Sequence, residues 1–437
     1  MARTADPDPA IPELLAARPH LCMHAMDGLL LDDVPLNAIA DALGTPTWVY
    51  AAPTIRRRLA TLRAAVAETG FDADIHYAVK ANDQLAILHL LGQCGAAADV
   101  VSEGELRRAL TAGIPASRIV FSGVGKTPDE LCLALTEDIA QINVESAEEL
   151  EALSATAAGM GCTARIALRI NPDVDAATHP KITTGRAQDK FGIPYGDAVG
   201  LYAHAASLPG IRPVGLAAHI GSQVLSLSPY RAAFDRLAGL VRDLRATGLP
   251  VETVDCGGGL GIPYRNQPAV TPTALAGALR AAFHDLDVRL MLEPGRWIVG
   301  PAGVLLASVV LVKQEQFVVL DAGMNDLVRP AMYDAWHGIV PLSAADAARP
   351  LSPADVVGPV CETSDTFARN RLLPPLAPGA RVAILDAGAY GAVMSSTYNA
   401  RPFAAAAMVD QGMWTTIRPR QTVAELWRDE CIPEAFA

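Results

Sequence analysis

From about residue 51 to residue 300 the chain alternates between two hydrophobic rhythms. Short, near-continuous apolar runs recur: IHYAVK (75–80), AADVVS (97–102), RIVFSG (118–123), IAQINVES (139–146), ARIALRINP (164–172), VGLAAHIGS (214–222), ETVDCGGG (252–259) and VRLMLEPG (288–295). Between them lie stretches such as EGELRRALTAG (103–113), TPDELCLALTED (127–138) and SAEELEALSATAAG (146–159). These open with Thr, Ser or Glu near a helix N-cap and space their apolar residues three and four apart. Buried strands alternating with amphipathic helices predict a parallel sheet covered by helices. Eight such units over 51–300 match an α/β fold of the (β/α)8 TIM-barrel type. A doubly wound sheet is the alternative, but no GxGxxG follows the first strand. From 301 to 437 helical periodicity weakens. Runs such as GVLLASVVLVK, QFVVLDAG, DVVGPVCE and RVAILDAGAY, broken by Pro and Gly, predict a β-rich, barrel- or sandwich-like C-terminal domain. TPTWVYA (45–51) is strand-like too, so the segment 1–50 is expected to join that domain.

Composition narrows the function classes. The chain of 437 residues can bury one large core and a second module. A formal net charge of −12 argues against nucleic-acid or anionic-membrane surfaces, so an anionic ligand needs local donors. The first twenty residues lack a basic stretch followed by an apolar core, and the longest uncharged apolar run, 301–312, is too short to span a bilayer. Seven scattered cysteines without CxxC point to a reducing cytoplasm. His20, Cys22 and His24 have no companion ligand cluster elsewhere, and no metal is expected.

Candidate chemistry collects where barrel strands end. Lys80 closes the first run, and taken alone it reads as a surface lysine. The remaining ends supply Ser102, Ser122, Glu145, Asn171, His219, the triplet Gly257, Gly258 and Gly259, and Glu293. In a barrel these ends converge on one face, and the set then has a common meaning. An amine in a dry pocket can form a Schiff base. Three glycines let backbone N–H groups approach a phosphate, with Ser222 as a further donor and Gly295 and Arg296 beside them. A carboxylate at Glu293 would keep a pyridine nitrogen protonated, and His219 could stack on a flat ring. Together these groups describe a site for pyridoxal 5'-phosphate.

The motifs GTPTWVYA, YAVKAN, HIGSQ, GGGLGIPY, EPGR, RPAMYDAWH, CETSD and DAGAYGAVMSSTYNARP, in this order, resemble those of the fold-type III pyridoxal-phosphate-dependent decarboxylases, and within them the diaminopimelate decarboxylases. The resemblance implies a homodimer with shared active sites that releases carbon dioxide from meso-2,6-diaminopimelate to give L-lysine. It assigns Lys80 as the Schiff-base lysine, His219 as the ring-stacking residue and Glu293 as partner of the ring nitrogen. Ser222, Gly257–Gly259, Gly295 and Tyr390 would hold the phosphate. Arg296, Arg329 and Tyr333, with Tyr390 nearby, would bind the substrate at its non-reacting carboxylate. Cys361, from the partner chain, would donate the proton to carbon, and Glu362 would meet the distal amine.

Two positions depart from the family pattern. Trp297 follows EPGR where a small hydroxyl residue is usual, and CETSD replaces the commoner CESGD. Decarboxylases of ornithine, arginine, lysine or carboxynorspermidine would share the cofactor site. The simple diamino acids, however, give Arg296, Arg329 and Tyr333 no second carboxylate to bind. A racemase has no use for the CETSD loop, an inactive regulatory homologue none for both Lys80 and Cys361, and a cofactor-free aldolase none for Glu293.

Overall fold

The computed structural model describes residues 8–71, 73–176, 178–186 and 188–436. The chain divides into two compact units. One comprises Ile55–Pro263 with Pro268–Val299, the other Met1–Thr54, Tyr264–Gln267 and Gly300–Ala437.

The first unit is a closed parallel barrel. Its strands are β1 (Ala73–Ala78), β2 (Ala97–Val100), β3 (Ile119–Phe121), β4 (Gln141–Val144), β5 (Ala164–Asn171), β6 (Ile211–Ala217), β7 (Thr253–Gly258) and β8 (Arg289–Glu293). Each pairs in parallel with the next, and β8 returns to β1, with Leu290 opposite Ala73. The helices Leu85–Gln93, Glu103–Thr111, Pro128–Thr136, Ala147–Met160, Ala198–Ser207, Ser228–Ala246 and Pro272–Phe283 follow β1 to β7 in turn. Ser102, Thr127 and Ser146 start three of them by accepting a backbone N–H of the first turn, which satisfies a donor the helix itself cannot pair. The (β/α)8 expectation holds.

The barrel interior departs from the packed aliphatic layers usual in this fold. Buried His76, Asp99, Gln141, Asn143 and Asp255 lie on its strands. Thr253 Oγ1 donates to Gln141 Oε1 (3.1 Å), Gln141 Nε2 to Asn143 Oδ1 (2.8 Å) and Asn143 Nδ2 to Asp255 Oδ2 (3.3 Å). Because β4 and β7 are not neighbours in the sheet, these bonds cross the barrel lumen. They satisfy polar groups whose burial would otherwise be costly, and they underlie the strand ends that carry the site.

The second unit is β-rich, as its sequence suggests. The long strand Gly303–Lys313 pairs antiparallel with Thr47–Ala51, Phe317–Leu320 and Arg381–Ile384, and Thr47–Ala51 runs parallel to Ala405–Asp410. A three-stranded sheet of Leu21–His24, Gly28–Leu31 and Val34–Pro35 belongs to the same unit. The core draws Leu29, Leu31, Leu36 and Ile39 together with Val304, Leu306, Val340 and Leu385. Arg18 pairs with Asp386 and donates to Tyr264 O (3.0 Å), so buried charge is met by charge.

Candidate active site

Lys80 does not end β1 as a strand residue. It sits in the 3-10 turn Val79–Ala81 just past it, which turns its side chain from the sheet toward β2. There its Nζ lies 2.5 Å from Oδ2 of Asp99, whose side chain is fully buried. A buried carboxylate holds the ammonium in one place, which a surface lysine lacks. Asp99 escaped the sequence reading, although an acid inside the apolar run AADVVS was the available signal.

Glu105, on the helix after β2, is a second carboxyl near Lys80. Its Oε2 accepts the Val101 N–H at 2.9 Å. Burial pushes its pKa up to about 7 against the opposing pull of Lys80. A carboxyl raised above its unfolded value binds more protons folded than unfolded between pH 4.5 and 7. Its contribution to stability is therefore present on the acid side and lost as pH rises through that window. Glu105→Gln should flatten the loss and, relative to acid pH, gain on the order of 2 kcal/mol over wild type by pH 8. Urea unfolding of both proteins from pH 4.5 to 8 measures it, and parallel curves would refute it.

Across the barrel mouth, Glu293 ends β8 and is buried. Desolvation, then the nearby Asp255 and Asp99, drives its pKa well up. Ser122 Oγ donates to Glu293 Oε1 at 3.4 Å and accepts from Asn143 Nδ2 at 3.1 Å, joining Glu293 to the interior chain. His219 follows β6. Its Nδ1 accepts the Gly258 N–H at 3.1 Å, which fixes the ring with its proton on Nε2. Burial, then Lys80 and Arg169, keep the imidazole pKa well down. Because that Nδ1 is an acceptor, its 3.8 Å approach to Glu293 is not an ion pair.

The glycine triplet is required by close approach. A Cβ on Gly258 would come within 1.9 Å of Glu293 O, and Gly257 and Gly259 have φ of 68° and 86° with carbonyls as close. Their loop is fastened to HIGSQ. Gln223 Nε2 donates to Ile262 O (2.6 Å) and the Ile262 N–H to Gln223 Oε1 (3.1 Å), while the Val224 N–H donates to Gly259 O (2.9 Å). Gly295 precedes the turn Arg296–Val299, and buried Arg296 donates to Ser222 Oγ at 3.0 Å. Ser222, Gly257–Gly259, Gly295 and Arg296 thus lie on loops joined to one another around His219 and Glu293. Trp297 packs its ring under the guanidinium of Arg58 at 3.9 Å, and Arg58 also donates to Trp297 O. That cation–π contact accounts for the bulky residue there.

The remaining candidates belong to the second unit. Arg329 and Tyr333 stand one turn apart on the helix Arg329–Tyr333, and Arg329 is buried. Its NH1 donates to His337 Nε2 (2.7 Å), and its guanidinium lies 4.7 Å from the Tyr264 ring centre. Cys361 and Glu362 are exposed on a loop. The Cys361 N–H donates to Asn399 Oδ1 (3.0 Å). Tyr398 Oη (2.6 Å) and Ser364 Oγ (3.0 Å) donate to Glu362 and hold its carboxyl below the usual range, Tyr398 most. Ser364, at the position where the family more often has glycine, thereby supports Glu362. Asp365 accepts the N–H of Met324 and of Val360, each at 2.6 Å, which pins the base of the loop. Tyr390 takes a φ of 54°, a left-handed conformation uncommon for an aromatic residue and typical of functional loops. Tyr398 and His337 were missed as supports because neither role shows in local sequence.

The barrel donors fit pyridoxal 5'-phosphate. A buried carboxyl suits a pyridine nitrogen, a fixed neutral imidazole suits a ring face, and an amine placed by Asp99 suits the aldehyde. Comparison with known proteins agrees. Residues 53–300 match the family described as pyridoxal-dependent decarboxylase, pyridoxal binding domain. A diaminopimelate decarboxylase of Zymomonas mobilis is 45% identical over 408 residues, 92% of this chain and 96% of that protein. The crystal structure of diaminopimelate decarboxylase from Helicobacter pylori complexed with L-lysine superposes with a TM-score of 0.87 at 40% identity, covering 90% of this chain and 98% of that one. That of the M. jannaschii enzyme in co-complex with L-lysine gives 0.90 at 35% identity, covering 96% and 100%. The chain belongs to the diaminopimelate decarboxylase family of pyridoxal-phosphate-dependent decarboxylases.

Proposed function

We propose that this chain removes carbon dioxide from meso-2,6-diaminopimelate to yield L-lysine, the last step of lysine biosynthesis. The observation that carries the reading is the Lys80–Asp99 pair set in the same barrel mouth as the buried Glu293, in a chain of this family. Pyridoxal 5'-phosphate, when bound, would supply an aldehyde for the substrate amine and an electron sink for the pair left by the departing carboxylate.

The residues of the chain divide the remaining work. Lys80 holds the cofactor and gives it up to the substrate amine, and Asp99 keeps the released ammonium in place. Glu293 keeps a proton at the ring nitrogen, with Ser122 and Asp255 holding its carboxyl. His219 covers one ring face. Ser222, Gly257, Gly258, Gly259, Gly295 and Tyr390 bind the phosphate. Arg296, Arg329 and Tyr333 bind the non-reacting carboxylate and Tyr390 borders the substrate. Glu362 takes the distal ammonium. Cys361 delivers a proton to the carbon that lost its carboxylate. We assign Cys361 and Glu362 to the site of a second copy in a homodimer. Their exposure on a loop whose base is pinned by Asp365 supports that assignment. We place the enzyme in the cytoplasm, in line with seven free cysteines.

Carbon dioxide release from meso-diaminopimelate, L-lysine, L-ornithine and L-arginine, run side by side with the cofactor supplied, tests the substrate. Turnover of diaminopimelate alone is expected, because a buried guanidinium left without its carboxylate disfavours the other substrates by roughly 100-fold or more. Preference for a simple diamino acid would overturn the substrate and leave the cofactor reading standing.

A further inference from the structure

His337 is buried in the β-rich unit, and both of its ring nitrogens are engaged. Nε2 lies 2.7 Å from NH1 of Arg329, and Nδ1 lies 2.7 Å from Leu385 O. A guanidinium only donates and a carbonyl only accepts. The two contacts therefore admit one state: a neutral ring with its proton on Nδ1 and a bare Nε2 facing Arg329. The ring is also gripped from the sides. Tyr264 meets it edge-on at 5.2 Å, and the same Tyr264 ring faces the Arg329 guanidinium. Arg371 NH1 donates to His337 O at 2.9 Å and is itself anchored on Asp8, 2.8 Å from its Nε.

We propose that His337 is the positioning residue for substrate specificity: its neutral Nε2 fixes the Arg329 guanidinium in the orientation that binds the non-reacting carboxylate of the substrate. The inference rests on the role given to Arg329 above. An arginine has several rotatable bonds, and a buried acceptor at NH1 restricts that freedom before substrate arrives. A carboxylate in the place of the imidazole would fix the arginine equally well but would neutralise it and compete with the substrate. A neutral ring orients the cation without discharging it.

The test uses the cofactor-loaded enzyme. His337→Leu should raise the KM for diaminopimelate about tenfold or more while kcat stays within about threefold and the cofactor absorbance is unchanged. His337→Gln, whose Oε1 can replace Nε2 as acceptor, should bring KM back to within about threefold of wild type. An unchanged KM in the leucine variant overturns the proposal. So does a joint loss of kcat and cofactor absorbance that glutamine does not rescue, which would mark a merely structural role. Arg329→Ala separates the two layers: if its KM equals that of wild type, the reading of Arg329 itself has failed. If the leucine variant does not fold, nitrogen-15 shifts of the ring in the wild-type holoenzyme decide. A proton on Nδ1 with a bare Nε2 supports the proposal, and a proton on Nε2 overturns it.

Discussion

Replacing Lys80 with alanine is expected to abolish the visible absorbance of the lysine-bound cofactor and to lower kcat by on the order of 10^4-fold. Lys80 has two duties, and one substitution removes both. In the role proposed above it would hold the cofactor by a covalent bond and give it up to the substrate amine. Asp99 then remains as a buried carboxylate facing no lysine ammonium, 2.5 Å from where that ammonium stood. Such a charge is costly to keep, so the variant should also lose stability. Absorbance spectroscopy of the purified, cofactor-supplied variant measures the first effect and a carbon dioxide assay the second. A retained band would show that another amine makes the bond.

Replacing Cys361 with alanine should leave that band intact and slow turnover by about 100- to 10,000-fold, the usual worth of a positioned proton donor. The two variants together also test where the site is built. If Lys80 of one chain works with Cys361 of the other, a heterodimer of Lys80→Ala and Cys361→Ala chains contains one site with both residues intact. An equimolar mixture that re-pairs at random should then recover about a quarter of wild-type activity from two nearly inactive proteins. No recovery after verified re-pairing would mean that each chain completes its own site, and the role given to a second copy would be lost.

The roles proposed for Arg329 and Glu362 make the distal end of the substrate, with its carboxylate and ammonium, the sharper discriminant. A site built around charged donors loses far more on an analogue lacking the matching group than an apolar pocket loses on one lacking a methylene. Both residues are held by neutral groups, Arg329 by His337 and Glu362 by Tyr398 and Ser364. Each charge is thereby oriented without being cancelled by its holder.

The sequence by itself determined the barrel, because the alternation of apolar runs with amphipathic helices is imposed by burial and is local in the chain. It also marked the candidates for the chemistry: Lys80, His219, the glycine triplet and Glu293 each stand at or just past a strand end, where local pattern is readable. The same pattern marked the C-terminal part as β-rich.

Partners far apart in sequence were not legible. Asp99 beside Lys80 is separated from it by nineteen positions, Glu293 from Asp255 by a helix, and His337 from its carbonyl at Leu385 by forty-eight. These pairings depend on closure of the sheet and on side-chain direction, which no local periodicity encodes. Protonation lay equally out of reach. Desolvation first, then Asp255 and Asp99, pushes the Glu293 pKa up, a shift that no feature of its own stretch of sequence announces. Residue type is written in the chain, whereas charge state follows from the dielectric and the neighbours that folding supplies.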